Sequence, residues 1–429
     1  MQALESDRMD ERDCMDDGDK IKKTRLLTPL LLLFMVAMIL ANLGGHMYQP
    51  LEALYLQELG AGISQIGLFY TISQIVPLLL QILGGWISDS LGRLRAIAIG
   101  SVAGVLVYIP LILADRWEWV LAATFLGAMT RALIAPSFDA FIADHSAPEK
   151  RARLFGITQT LFGIVGVVGP VTGGYLVERM GFKGMLLVAA VLYVLATVIR
   201  VSMARQAAAG QSAPTEHLTL KSLGSNLKSI IGLIMAGGLF TWIMIIDGVR
   251  DIFMNMSMSF LSVFMQDIAR LNISQIGLAN SIFGVMMMAV MIPSGLLADK
   301  VGERVNIAIS FFLLAISLGL ITILPPASPV WIYNLGWAIA GVGVGIATPA
   351  FQSLISKAVP PNLRGVAFGL FSTSLGLVSL PSPLIGSFLW ERVSPQFPFM
   401  LTALISLISI VPVLLKFKVR ETPENDRNS

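Results

Sequence analysis

Run after run of about twenty apolar residues, each ended by a short charged turn, leaves this chain one medium to fold in. A helix of roughly 20 residues spans a hydrocarbon core of about 30 Å, and as a helix each run satisfies its own backbone hydrogen bonds where no water can. The residues are 55% hydrophobic and 13% charged, with a mean hydropathy of +0.76, against roughly 25% charged in a soluble domain. The pattern predicts an all-α integral membrane protein. Its spans fall at about 27–57, 64–88, 96–114, 119–143, 154–177 and 184–202, then 229–265, 273–298, 306–324, 330–355, 364–390 and 398–416. Twelve spans at about 20 residues need about 240, so 429 residues leave short loops, two tails and one connector. The expected organisation is a tail (1–26, disordered), a six-helix bundle (27–202), a linker (203–228), a second bundle (229–416) and a tail (417–429).

Charge sets the orientation. Of the 30 Lys and Arg, Arg131 and Arg250 lie inside spans, and Arg116, Arg179, Lys183, Arg270 and Arg392 fall at one set of helix ends. All the others, Arg200 included, are assigned to the opposite set, which places both termini in the cytoplasm by the positive-inside bias. The net charge of +3 is therefore read as topogenic, and nucleic acid is not an expected partner. Cys14 is the lone cysteine, which excludes a disulfide framework and a thiolate metal site. The first residues lack the apolar core and cleavage site of a signal peptide, so the first run is expected to be retained.

The chain is built twice. G-W-I-S-D-S-L-G-R-L-R, from Gly85 to Arg95, returns as G-L-L-A-D-K-V-G-E-R, from Gly295 to Arg304, with Asp89 and Asp299 210 positions apart (299 − 89). The run I-S-Q-I-G-L occurs at Ile63 and again at Ile273, the same distance on. Further along the offset becomes 213, pairing Pro136 with Pro349, Arg151 with Arg364, Pro170 with Pro383, and Glu178-Arg179 with Glu391-Arg392. Apolar composition yields chance matches of Leu and Ile, but not aligned Gly, Pro, Asp and Arg at helix ends. An even helix count in each copy gives two halves in parallel orientation.

These residues resemble the major facilitator superfamily, whose loop between the second and third helices runs approximately G-x-x-x-D-[RK]-x-G-R-[RK]. Gly85, Asp89, Gly92 and Arg93 match, while Ser90 and Leu94 depart from it; Gly295, Asp299, Lys300, Gly302 and Arg304 match, with Glu303 in place of the first Arg. The resemblance implies that this loop gates the cytoplasmic seam, with Asp144 as its acidic partner and Lys357 at the corresponding place in the second copy. A second signature, approximately G-x(8)-G-x-x-x-G-P-x-x-G, resembles the fifth helix of the family's exporters through Gly156, Gly169, Pro170 and Gly173, with Val165 at the middle glycine position. The family's Arg motif on the fourth helix is not clearly present, so Arg131 is argued from its position.

A charge at the bilayer centre costs at least ~2.5–3.5 kcal/mol on the insertion scale, so a midspan charge faces a cavity or a counter-charge. Arg131 lies near the centre of the fourth run, and Asp247, Arg250 and Asp251 share one face of the seventh. The resemblance implies that the first, fourth, seventh and tenth helices line a central cavity, where Arg131 would meet Asp247 or Asp251. The network is expected to bind substrate, proton or both; a permanent structural network stays open. On the first run Asn42, His46, Gln49 and Glu52, spaced at four, three and three, form a polar stripe, with Tyr48 off it. Gln159, Asn280 and Asn334 are further cavity candidates.

The reading is a secondary active transporter working by alternating access, with proton-coupled antiport exporting a small amphipathic compound as the preferred mechanism. Proton-coupled uptake of a polar or anionic small metabolite stays open, and so, more remotely, does a transport-inactive membrane sensor. No nucleophile–base pair, metal-ligand cluster or phosphate-binding loop is visible, so no enzyme activity and no cofactor are expected, the proton serving as coupling ion. The expected partners are a small-molecule substrate and the lipid bilayer of the plasma (inner) membrane, with the protein a monomer.

Overall fold

The structure, a computed structural model, describes residues 29–91, 93–144, 148–207, 238–326, 328–359, 371 and 376–417. Among these every regular element is helical, and eight helices are long and apolar enough to cross a membrane. The connector, the tails and most of the predicted eleventh span lie outside the described residues. Outward faces carry large apolar side chains, among them Ile292 at 80% and Ile323 at 74% exposure. Such surface is stable against lipid tails and not against water, and this is an integral membrane protein.

The helices fall on the apolar runs and break where local chemistry requires it. α1 (Pro29–Tyr48) passes through a 3-10 turn at Gln49–Leu51 into α2 (Glu52–Glu58); Pro50, inside that turn, has no N–H to continue the ladder. After α3 (Ile63–Leu91), the third run divides into α4 (Arg93–Leu106) and α5 (Tyr108–Leu113), four residues before Pro110 as the missing donor dictates. α6 is Glu118–Asp144, and α7 is Pro148–Ala207. Two predicted spans meet inside α7 at Gly181, whose φ of 74° turns the chain. The second part holds α8 (Leu239–Met258), α9 (Leu261–Asp267), α10 (Ile273–Val301), α11 (Glu303–Ile323), α12 (Val330–Ala358), α13 (Ser382–Arg392) and α14 (Phe397–Lys416). Gly302, at φ 86°, makes the turn from α10 to α11, which is the physical use of a glycine in the repeated loop.

Among the described residues the buried core is continuous at one end of the molecule and divided at the other. A single buried apolar cluster joins Leu51, Leu54, Tyr55 and Phe182 to Phe260, Phe264, Leu271 and Phe399. Toward the opposite end, one cluster holds only first-part residues such as Phe34, Phe141 and Leu154, and another only second-part residues such as Phe240, Phe311 and Leu354. The joined end also carries reciprocal polar contacts. Glu391 accepts from the Ser64 backbone N–H at 3.0 Å and from its hydroxyl at 2.6 Å; Glu178 accepts from the Ser274 N–H at 3.2 Å. Each copy thus offers a carboxylate to the helix start of the other, where unpaired N–H groups and the helix dipole favour negative charge. Between them Gln57 Nε2 donates to Asp267 Oδ2 at 2.6 Å.

α7 is wedged between α1 and α10. A Cβ on Gly173 would lie 2.2 Å from the Met47 carbonyl oxygen, so only hydrogen fits there. On the other side the Ser281 hydroxyl donates to Val167 O at 2.6 Å and accepts from Val171 N at 3.1 Å. It stands between a donor and an acceptor that would otherwise pair along α7, beside Pro170, which is how a helix is bent by an inserted polar group.

Candidate functional site

A cavity of about 670 Å³ lies wholly among residues 38–200 and is lined by α1, the 3-10 turn, α2, α3, α4, α5, α6 and α7. Its walls include Met38, Val107, Leu111, Ile134, Phe138 and Phe162, so most of the surface is apolar. Against them stand Asn42, His46, Gln49, Glu52 and Arg131. An apolar hollow with a few convergent polar groups is the usual form of a small-molecule site.

The polar stripe of the first run faces this cavity, and the backbone explains how. The 3-10 turn tightens the helix to about three residues per turn, which keeps Gln49 and Glu52 on one side across the break. Asn42 is held by a 2.8 Å bond from its Nδ2 to Met38 O. Glu52, partly buried, is faced by the Arg131 guanidinium and by the hydroxyls of Tyr48 and Tyr70. Tyr48, expected off the stripe, lines the cavity with its hydroxyl buried beside Glu52; it is four residues before Glu52 and so borders the same helix face.

The expected joining of Arg131 to Asp247 or Asp251 is corrected. Arg131 is exposed to the first-part cavity and faces Glu52. Asp247, fully buried on α8, instead pairs with Arg250 three residues on, at 2.7 Å. Arg250 also lies over the Phe351 ring, 5.4 Å from its centroid, and Asp251 faces Arg250 and Ser379. The physical reason is proximity: each carboxylate has a guanidinium one helical turn away or across its own bundle, and neither needs the seam between the two parts.

Three further candidates lie away from the cavity. Gln159 is exposed on α7, Asn280 donates to Ile276 O on its own helix at 2.9 Å, and Asn334 Oδ1 is buried on α12 without a partner. In the glycine signature, Gly169 and Gly173 press against His46 and Met47, while Gly156 touches nothing within 4 Å. Of the gating residues, Gly85 and Asp89 lie on α3, Arg93 opens α4, Asp144 ends α6 and Asp299 lies on α10. The side chains of Asp89, Arg93, Asp144 and Asp299, and the whole of Gly92, lie outside what is described. Gly295 lies within α10, Lys300 and Arg304 are exposed, and Gly302 forms the turn. Beside it Glu303 accepts from Lys357 Nζ and from Ser353 Oγ. The second copy therefore holds an ion pair at the two positions corresponding to Arg93 and Asp144, with the signs exchanged.

One cavity residue was assigned elsewhere by sequence. Arg200, grouped with the topogenic cations, is 2% exposed and lines the cavity with Tyr108 and Tyr193. A signal was present: Tyr193, Thr197 and Arg200, spaced at four and three, form a polar stripe inside an apolar run.

The family profile of the Major Facilitator Superfamily matches residues 33–250 and 243–429. The tetracycline resistance protein, class C, of Escherichia coli is 26% identical over 324 residues, covering 75% of this chain and 79% of that protein. A multi-drug resistance efflux pump PmrA homolog of Lactococcus lactis is 24% identical over 382 residues, covering 86% of this chain and 90% of its own length. The crystal structure of the peptide transporter POT in complex with alafosfalin superposes with a TM-score of 0.73 over 90% of this chain and 93% of that one, at 13% identity, a likeness of fold. Profile, relatives and fold agree, and the chain belongs to the Major Facilitator Superfamily of membrane transporters.

Proposed function

We propose that the protein is a proton-coupled antiporter that exports a small amphipathic compound by alternating access. Twelve helices in two six-helix halves, 27–202 and 229–416, rock about the linker at 203–228. The observation that carries this reading is that Glu52 and Arg131 line one largely apolar cavity within electrostatic reach of each other. A carboxylate with a guanidinium opposite and two tyrosine hydroxyls beside it can hold or release a proton as the occupant of the cavity changes. Drug-resistance and efflux relatives support export. With both termini cytoplasmic, the joined end of the core faces outward and the divided end inward, an inward-facing state. Asp247, Arg250 and Asp251 form a second ionic group whose role we assign to holding the second half together.

Purified protein in liposomes with an internal pH dye, screened against cationic, anionic and neutral amphipaths, tests the reading. Proton movement opposite to solute is expected, and Glu52→Gln is expected to abolish it. Asp247→Asn leaves Arg250 without its nearer carboxylate, a loss toward the low end of ~3–5 kcal/mol because Arg250 is 21% exposed, and is expected to lower thermal stability more than coupling. Co-directional movement of proton and solute, or full pH-driven exchange by Glu52→Gln, overturns the proposal.

A further inference from the structure

The cavity holds more cationic charge than its own carboxylate answers. Arg131 faces Glu52, but Arg200 has only neutral neighbours among the described residues. Its Nη1 donates to Ser101 Oγ at 3.0 Å, its Nη2 approaches Ala37 O at 3.5 Å and Met38 Sδ at 3.1 Å, and the Tyr193 hydroxyl faces it. A guanidinium carries five N–H donors, and the Arg200 Nε–H is buried with no acceptor. A buried charge without a counter-ion is costly to hold, which marks a site where a charge from outside is admitted.

A second observation points the same way. Ser73 and Thr130 each line this cavity with a buried hydroxyl that has no hydrogen-bond partner. Unsatisfied buried polar groups are uncommon in native structures and call for an explanation. Here three of them, Arg200 included, border one hollow, and all three can donate.

We propose that Arg200 forms an anion subsite of this cavity, and that the transported compound is an amphipath carrying a carboxylate or a similar acceptor-rich anionic group on an apolar body. The anionic group takes the Arg200 guanidinium, and the apolar body lies along Val107, Ile134 and Phe162. This rests on the transport reading above for the word "transported", while the subsite itself is a property of equilibrium binding. Arg200 stands inside an apolar run where Val413, its counterpart at the 213-residue offset, is apolar and fully buried. The second copy has no such cation at that position.

The test is equilibrium binding of tritiated 2-naphthoate and neutral 2-naphthamide to the purified full chain, read as the ratio of the two affinities within each variant. That ratio is insensitive to the fraction of protein that is folded. The wild type is expected to prefer naphthoate at least ~tenfold, the worth of one hydrogen bond to a charged group. Arg200→Met is expected to bring the ratio to about one, Arg200→Lys to keep part of it, and Thr130→Val to lower it by a few-fold. A wild-type ratio near one, absence of naphthoate binding, or an unchanged ratio in Arg200→Met overturns the proposal. Should Arg200→Met not fold, a wild-type ratio in both Arg200→Lys and Thr130→Val overturns it instead. Loss of proton exchange in liposomes with the ratio intact would overturn antiport and leave the subsite standing.

Discussion

Residues 29–207 and 238–417 are copies of one module, yet several positions that line the cavity in the first correspond to packed, buried side chains in the second. At the 210-residue offset Gly104 and Tyr108 of α4 and α5 correspond to Leu314 and Leu318 of α11, each 2% exposed. At the 213-residue offset Tyr193 and Arg200 correspond to Ser406 and Val413, both buried. Glu52 and Arg131 correspond to Ser262 and Val344, so the charges of the cavity have no counterpart. Ser262 instead donates to Pro50 O at 2.7 Å, serving the contact between the two parts. The two copies share a scaffold and differ at a few inward positions, where the first lines a cavity and the second buries packed side chains. The teaching is that a repeat predicts backbone far better than it predicts chemistry, because side-chain volume and charge change without moving a helix.

The comparison is broken most directly by exchanging the volumes. Gly104→Leu places side-chain atoms where an added Cβ already lies 2.1 Å from the Tyr193 hydroxyl, so the ring must swing into the cavity. Ligand binding is expected to fall at least tenfold, with a stability change within the ~1–3 kcal/mol of overpacking, read by equilibrium dialysis and thermal unfolding. Leu314→Gly is expected to do the opposite: stability falls by about 2–5 kcal/mol, as when a core leucine is cut back to alanine, and binding of the same ligand changes little. A second-copy variant that lost binding without losing stability would show that the site is shared.

The joined end offers a sharper cut. In a chain made cysteine-free by Cys14→Ser, Gln57→Cys with Asp267→Cys puts thiols at two positions whose side chains touch at 2.6 Å. A short bifunctional methanethiosulfonate reagent is expected to cross-link the parts and stop transport, and reductant to restore it. Transport that continues at full rate after complete cross-linking would mean that this end does not open in the cycle.

The smallest effects are expected at the two carboxylates of that end. Glu391 makes two bonds to Ser64 and Glu178 one to Ser274. Both sites are exposed and resemble helix N-caps, which are worth ~0.5–2 kcal/mol. Glu391→Gln is expected to shift the population toward opening of this end more than Glu178→Gln, measured as the distance distribution between spin labels at the ends of α2 and α9. Equal shifts would remove the asymmetry between the copies here.

Much of the fold was legible in the sequence because lipid imposes a simple code: length, apolarity and breaks at Pro and Gly. The turn at Gly302 and the polar stripe from Asn42 to Glu52 are of this kind, since each depends on residues within one or two helical turns. The pairing of Arg131 was not legible. Which carboxylate it meets depends on how α1 and α6 lie against each other, and Asp247, apt by charge, was already taken by a neighbour three residues away. Arg200 was misassigned because a cation near the end of a run reads the same whether it points to the aqueous boundary or back into the bundle.

By itself, then, the sequence determined an all-helical membrane protein with an internal repeat, and the residue types any site within it would use. Only the tertiary structure decided that the hollow lies in the first copy, that Glu52 stands with Arg131, that Arg200 turns inward, and that one end of the core is joined and the other divided. The physical reason is range. Helix formation in lipid is settled by local hydrogen bonding and transfer free energy, whereas the partner of a buried charge is settled by contacts between residues far apart in the chain.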